Sequence, residues 1–128
     1  MAQPNDNQSA FDRLLKANIA RVFNEHVQEG RDLALAELWT EECEMFEADE
    51  IFHGRAAISD AVGRLLERLP SGLRFTPVGN AIINHGTALM RWEAGMSGAP
   101  ATIIGTDIVH VQGDRIDKLY VYLGSGEH

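Results

Sequence analysis

Residues 101–123, ATIIGTDIVHVQGDRIDKLYVYL, alternate between apolar and polar side chains on both sides of Gly113-Asp114. Alternation with a period of two is typical of β-strands that bury one face. A Gly-Asp pair between two such stretches favours a tight turn. We therefore predict a β-hairpin with strands at 101–112 and 115–123.

Two further strand-like stretches precede this hairpin, at 73–84 and 87–96. A shorter strand is predicted at 43–48, and a second short strand that pairs with it at 51–53. Strands that follow one another through short turns pair in an antiparallel manner. The C-terminal half of the chain is therefore predicted to form one antiparallel sheet.

The N-terminal half instead carries apolar residues at helical spacing. The pattern covers 11–27 with Gly30 as its stop, then 32–39, and then 55–69. Helices followed by a run of strands predict an α+β fold, in the order α-α-β-α and then β-strands. A strongly curved sheet around three helices leaves a cone that is open at one end, and such a cone is a natural ligand pocket.

Length and charge limit the classes of function. The 128 residues, 45% of them hydrophobic, fit one domain at 9–128 after a flexible tail at 1–8. The net charge of −8 disfavours binding to nucleic acids and to anionic membranes. The single cysteine excludes an intrachain disulfide, and the polar N-terminal stretch does not resemble a signal peptide, so we expect a cytoplasmic protein.

Two acidic residues are the candidate catalytic groups. Asp107 is the one charged residue on a strand face that it shares with Ile103 and Val109, and Glu47 shares a strand face with Met45. Burial in an apolar cavity raises the pKa of a carboxylic acid. One carboxyl group then stays protonated and donates a hydrogen bond, while the other accepts a proton, which indicates acid/base chemistry.

Three groups of short strings carry a family resemblance: EGRD (29–32) with LWTEEC (38–43), HGRAAI (53–58), and GTDIVHV (105–111) with GDRI (113–116). In order and spacing they resemble the nuclear transport factor 2-like superfamily, and within it the ketosteroid isomerase-like and SnoaL-like polyketide cyclase branch. The resemblance implies a conical α+β fold around a pocket for a small hydrophobic molecule.

The resemblance also implies an isomerase, cyclase or dehydratase that acts on a carbonyl-type molecule. The family's proton-shuttling Asp falls on Glu47, and its hydrogen-bond-donating Asp falls on Asp107. The isomerases' tyrosine falls on Phe23, which has no hydroxyl, so a non-catalytic binding or dimerisation domain remains the alternative. For the apolar body of the substrate we predict contacts with Phe23, Trp39, Val62, Met90, Trp92, Val109 and Val121.

Neither a cofactor nor a metal is expected. The scattered histidines lack the spacing of metal ligands, although His53 is a candidate for a proton-transfer role at the pocket rim, and the sequence has no glycine-rich phosphate loop. Tyr120 and Tyr122 are predicted to lie on the outer face of the sheet with His85 and His110. Relatives with this fold often dimerise through that face, so we expect a homodimer.

Overall fold

The computed structural model describes residues 4–124, with side chains from Gln8 onward. Its helices are α1 (Pro4–Asn18), a short π-helical segment (Ile19–Phe23), α2 (Gln28–Leu38) and α3 (Gly54–Arg68). The strands are β1 (Trp39–Phe46), β2 (Ile51–His53), β3 (Arg74–Asn84), β4 (Thr87–Gly95), β5 (Ile103–Gln112) and β6 (Arg115–Gly124).

The six strands form one open, curved sheet in the order β2-β1-β6-β5-β4-β3. Four of the five neighbouring pairs are antiparallel, and β1 runs parallel to β6. The α+β class and the three helices packed on a curved sheet are confirmed. A parallel pair needs a long connection between its two strands, and here β2, α3 and the strands β3 to β5 lie in the chain between β1 and β6.

The first two helices differ in extent from the sequence prediction. Helix α1 begins at Pro4, so its first turn lies within the segment that we predicted as a tail; residues 1–3 lie outside the described range. The helical path ends at Phe23, and α2 begins at Gln28. Gly30 therefore lies in the first turn of α2 and does not stop a helix. A Cβ there would lie 2.9 Å from Oε1 of Glu25, the end of a flexible side chain that can move aside.

Side chains of the first helical region fasten it to β3, the edge strand of the sheet. The backbone N–H of Ala81 donates to the carboxylate of Asp12, and the backbone carbonyl of Ala81 accepts from the amide of Gln8. Asn24 repeats this arrangement, because its side chain accepts from the N–H of Phe75 and donates to the carbonyl of Phe75. These bonds satisfy edge backbone groups and hold the helices over one end of the sheet.

The hydrophobic core fills the closed end of the cone, between the helices and the inner sheet face. Its largest buried side chain is that of Trp39, whose indole N–H donates to Asn18 at 2.8 Å. Within the described range, none of the helices has the length and apolar character needed to cross a bilayer.

Candidate active site

A cavity of about 710 Å³ opens at the other end of the cone. It lies between the π-helical segment, the last turn of α3 and the ends of β4, β5 and β6. The chain has nine aromatic residues, and six of them line this cavity. Its walls are therefore mostly apolar and rich in flat rings, contributed by Phe23, Phe46, Phe75, Trp92, Tyr120 and Tyr122.

Asp107 is the buried acid of this cavity. It lies in the middle of β5, opposite Met90 of β4 and Val121 of β6, and its side chain is on the inner face. Only 5% of the residue is exposed. The indole N–H of Trp92 donates to Oδ1 of Asp107 at 2.9 Å. Burial raises the pKa of Asp107 to about 7, and the Trp92 hydrogen bond opposes this rise.

Three rings connect the helical wall of the cavity to this carboxyl group. The rings of Phe23 and Phe75 meet edge to face with their centroids 6.2 Å apart, and those of Phe75 and Trp92 do so at 5.3 Å. Such arrangements are favourable because the positive edge of one ring faces the negative face of the other. Asn24 holds the backbone of Phe75 in place at the same time. The Trp92 indole is thus one end of a packed aromatic row.

Glu47 lies at the mouth of the cavity and not on its inner wall. Strand β1 ends at Phe46, and the N–H of Glu47 donates to the carbonyl of Glu50 at 2.9 Å in the turn that follows. The prediction that Glu47 belongs to the strand is therefore wrong, and the residue is exposed. Glu47 nevertheless lines the opening. Partial burial and the neighbouring Glu50 carboxylate raise the pKa of Glu47, and Arg68 opposes this rise.

The predicted substrate contacts divide into two groups. Phe23, Trp92 and Val121 line the cavity together with the two acids. The other four belong to the packed core at the closed end, and their side chains are at most 1% exposed: Trp39, Val62, Met90 and Val109. Strand alternation identified the inward face correctly for Met90 and Val109. It does not indicate how far along the strand the helices cover that face.

The sequence prediction missed an aromatic part of the cavity mouth. Phe46 stacks on Tyr120 with a centroid distance of 4.5 Å, and Tyr122 lies beside them. Alternation assigns both tyrosines to the outer face. The pairing of β1 with β6 ends at Phe46 and Tyr120, but β6 continues to Gly124. Beyond Tyr120, β6 therefore has no neighbour on that side, and side chains from both of its faces line the opening. The C-terminal end of α3 and the residue after it also line the cavity, through Leu65, Arg68 and Leu69.

The histidines on the sheet lie apart from the cavity lining. His53 is 2.9 Å from Glu44 through its Nδ1, and Glu44 also pairs with Lys118 at 3.0 Å. His110 is 3.7 Å from Asp117. His53 thus belongs to an ionic network on the outer face and not to the rim. Across residues 8–124, no three His, Cys, Asp or Glu side chains are grouped so that they could hold a metal ion.

The sequence pattern of the family described as "SnoaL-like domain" matches residues 19–119. No curated protein is similar enough in sequence to be matched.

Among solved structures, one from Agrobacterium tumefaciens, provisionally named an isomerase of the SnoaL-like family, is similar with a TM-score of 0.83 and 19% identity. The alignment covers 91% of this chain and 99% of that one. A protein of Kribbella flavida, provisionally named a ketosteroid isomerase, gives a TM-score of 0.69 at 13% identity and covers 95% and 83% of the two chains. A protein of Sinorhizobium meliloti, provisionally named a polyketide cyclase, gives 0.66 at 13% identity and covers 88% and 97%. At these identities the likeness establishes a shared fold.

Proposed function

Because this chain belongs to the SnoaL-like domain family, we propose that its cavity is the active site of an acid/base enzyme that works without a cofactor. The substrate class is a small hydrophobic molecule with a carbonyl group, and the reaction is of the isomerase or cyclase type. The observation that carries the proposal is the Asp107 carboxyl group, which is almost fully buried and faces an aromatic-lined cavity.

The protonation state of Asp107 suits this chemistry. With its pKa near 7, a substantial fraction of the carboxyl groups is protonated at neutral pH and can donate a hydrogen bond to a carbonyl oxygen. An acid at this depth interacts strongly with its partner because little water competes with it. Glu47 at the mouth supplies a second carboxyl group, which is the proton acceptor.

In the proposed step, the Oδ2–H of Asp107 donates to the carbonyl oxygen, and the Glu47 carboxylate removes a proton from the carbon beside the carbonyl. The electron pair of that C–H bond forms a new C=C bond, and the carbonyl π electrons move to oxygen. If the carbon that loses its proton lies between the carbonyl group and a C=C bond, the electron pair on oxygen re-forms the carbonyl group, the C=C bond shifts, and the far carbon takes the proton from Glu47, which completes an isomerisation. If the enolate carbon instead attacks a second carbonyl group, the oxygen of that group takes the proton from Glu47, which completes a cyclisation. The aromatic walls, through Phe23, Phe75 and Trp92, hold a flat apolar body.

A non-catalytic binding domain is the second candidate. Two observations favour it, namely the exposure of Glu47 and the absence of a hydroxyl group at Phe23. A binding domain retains the cavity and the affinity for apolar carbonyl compounds, but it does not transfer protons. The two candidates therefore differ in turnover and not in ligand affinity.

The test is deuterium exchange, because it detects proton abstraction before the natural substrate is known. Aromatic ketones are incubated with the protein in D2O, and loss of the α-proton signal is followed by NMR. We expect exchange above the buffer rate, with a fall of about 100-fold or more in Asp107→Asn and in Glu47→Gln. Asp49→Asn is the matched control, because Asp49 also lines the mouth but has no assigned role. Ketone binding without exchange supports the binding domain, and loss of exchange in the control as well contradicts the assigned roles.

A further inference from the structure

We propose that Trp92 is a positioning residue of this site: its indole N–H holds Oδ1 of Asp107, so that Oδ2 carries the proton that is donated to the carbonyl oxygen of the ligand, and Gly105 provides the space in which the indole lies. This inference rests on the proposed acid/base function, since it assigns the atom of Asp107 that faces the ligand. It adds two residues, on β4 and β5, to the two acids of the mechanism.

The register of the two strands places these groups together. Trp92 of β4 is paired with Gly105 of β5, and Asp107 follows two residues later on the same face of β5. To reach Asp107, the indole has to lie across β5 directly over Gly105. A Cβ built on Gly105 would lie 2.2 Å from Cζ2 of the indole and 2.6 Å from Cε2. Real Cβ atoms do not approach other atoms so closely, so any side chain at this position displaces the ring or the strand.

Gly105 is needed for space and not for an unusual backbone conformation. Its φ lies outside the left-handed region that favours glycine, in contrast to Gly98 and Gly113 in the turns at either end of β5. A glycine in the interior of a strand weakens the strand and commonly marks the close approach of another group. Here that group is the Trp92 ring, which also meets the Phe75 ring edge to face.

The hydrogen bond distinguishes the two oxygens of Asp107. An indole N–H donates and never accepts, so Oδ1 must be an acceptor whether the carboxyl group is ionised or neutral. In a neutral carboxyl group the C=O oxygen is a better acceptor than the hydroxyl oxygen, so this bond favours the proton on Oδ2, for which the structure shows no hydrogen-bond partner within residues 8–124. The indole thus fixes both the orientation of the carboxyl group and the oxygen that donates to the carbonyl oxygen of the ligand.

The same bond also affects the ionisation of Asp107, because it stabilises the carboxylate. The other charged or titratable groups that line the cavity are all at its mouth: Glu47, Asp49, Glu50, Arg68, Tyr120 and Tyr122. Removing the indole N–H leaves these groups in place and removes the one direct donor to the carboxyl group that residues 8–124 supply. The effect of Trp92 on Asp107 can therefore be separated from their effect.

The test is an NMR titration of the Asp107 carboxyl carbon in the full chain labelled with ¹³C-aspartate, with Asp107→Asn used to assign the signal. In Trp92→Phe we expect the pKa of Asp107 to rise by about one to two units. Gly105→Ala should raise the pKa in the same direction, because it displaces the indole. Trp39→Phe is the matched control, since the Trp39 indole bonds to Asn18 in the core, and it should leave the titration unchanged.

The double variant Trp92→Phe/Gly105→Ala decides how the glycine acts. If Gly105 works through the indole, the double variant titrates like Trp92→Phe alone, and it unfolds at a higher urea concentration than Gly105→Ala because the smaller ring relieves the contact. An unchanged pKa in Trp92→Phe overturns the proposal. If the effects of the two substitutions on the pKa are additive, the proposed role of Gly105 is wrong. If Gly105→Ala folds too poorly to be titrated, the urea comparison still tests this role, because the double variant should then be the more stable of the two. The titration requires no turnover, so its result is independent of whether ketone exchange is observed.

Discussion

Replacing Asp107 with Asn should change how the stability of the protein depends on pH. In the folded state burial raises the pKa of Asp107 from 3.8 to about 7. Between these two values the folded protein binds a proton that the unfolded chain has released. The free energy of unfolding therefore falls as the pH rises through this window, and the term is constant below about pH 3.8 and above about pH 7. Asparagine cannot ionise, so the variant lacks this fall.

The magnitude follows from the size of the shift. A difference of about three pH units at 1.36 kcal/mol per unit corresponds to about 4 kcal/mol. Asp107 is nearly fully buried, so screening by solvent reduces this figure little. Between pH 4 and pH 8, the free energy of unfolding of the wild-type protein should therefore fall by about 4 kcal/mol more than that of the variant. This is a large part of the total stability of a small domain.

The assay is urea unfolding, followed by circular dichroism at intervals between pH 4 and pH 8.5 for both proteins. The difference between the two curves isolates Asp107, because all other titrating groups are shared. Asp49→Asn serves as the control, since it removes an exposed carboxyl group at the cavity mouth that has no assigned role. A pH-independent difference for Asp107→Asn would refute the assignment of a raised pKa, and with it the basis for proton donation at neutral pH.

Three further predictions concern the cavity, the edge of the sheet and the outer face. Phe23→Tyr should increase ketone exchange about tenfold, because it adds a hydroxyl donor at the cavity wall; a lower rate would show that the hydroxyl group does not reach the substrate oxygen. Asn24→Ala should lower the free energy of unfolding by about 2 kcal/mol in urea, because two backbone groups of Phe75 lose their partner, and a loss below about 0.5 kcal/mol would contradict this role. We also propose that the chain forms a homodimer through the outer sheet face. Ile108→Arg should then give a monomer in sedimentation equilibrium, whereas a wild-type monomer would contradict the proposal.

Much of the fold follows from the periodicity of the sequence. Helical spacing before residue 70 and strand spacing after it were sufficient to predict helices packed on a curved sheet. The position of Asp107 follows from the same rule, because its neighbours at i±2 and i−4 are small or apolar and its own side chain shares their face. A period of two is a local property of the backbone, so it can be read without knowledge of the partners of the strand.

What the sequence does not indicate is where each element ends and what lies next to it. The site of Glu47 depends on the end of β1 at Phe46, and the exposure of Tyr120 and Tyr122 to the cavity depends on how far β6 extends beyond that point. The contact of Trp92 with Gly105 depends on the register of two strands. Register and depth are set by packing between distant segments, and no pattern within a single segment encodes them.

The helical side chains that bind to β3 have a consequence for the behaviour of the protein in a crowded solution. The unpaired N–H and C=O groups of an edge strand can form hydrogen bonds with another extended chain, and such pairing is a common first step of aggregation. Here Asp12 and Asn24 occupy edge positions at two points of β3, and the opposite edge, β2, has only three residues. Neither edge therefore presents a long run of unpaired backbone groups, and the sheet is protected against the addition of strands from unfolded copies of the chain.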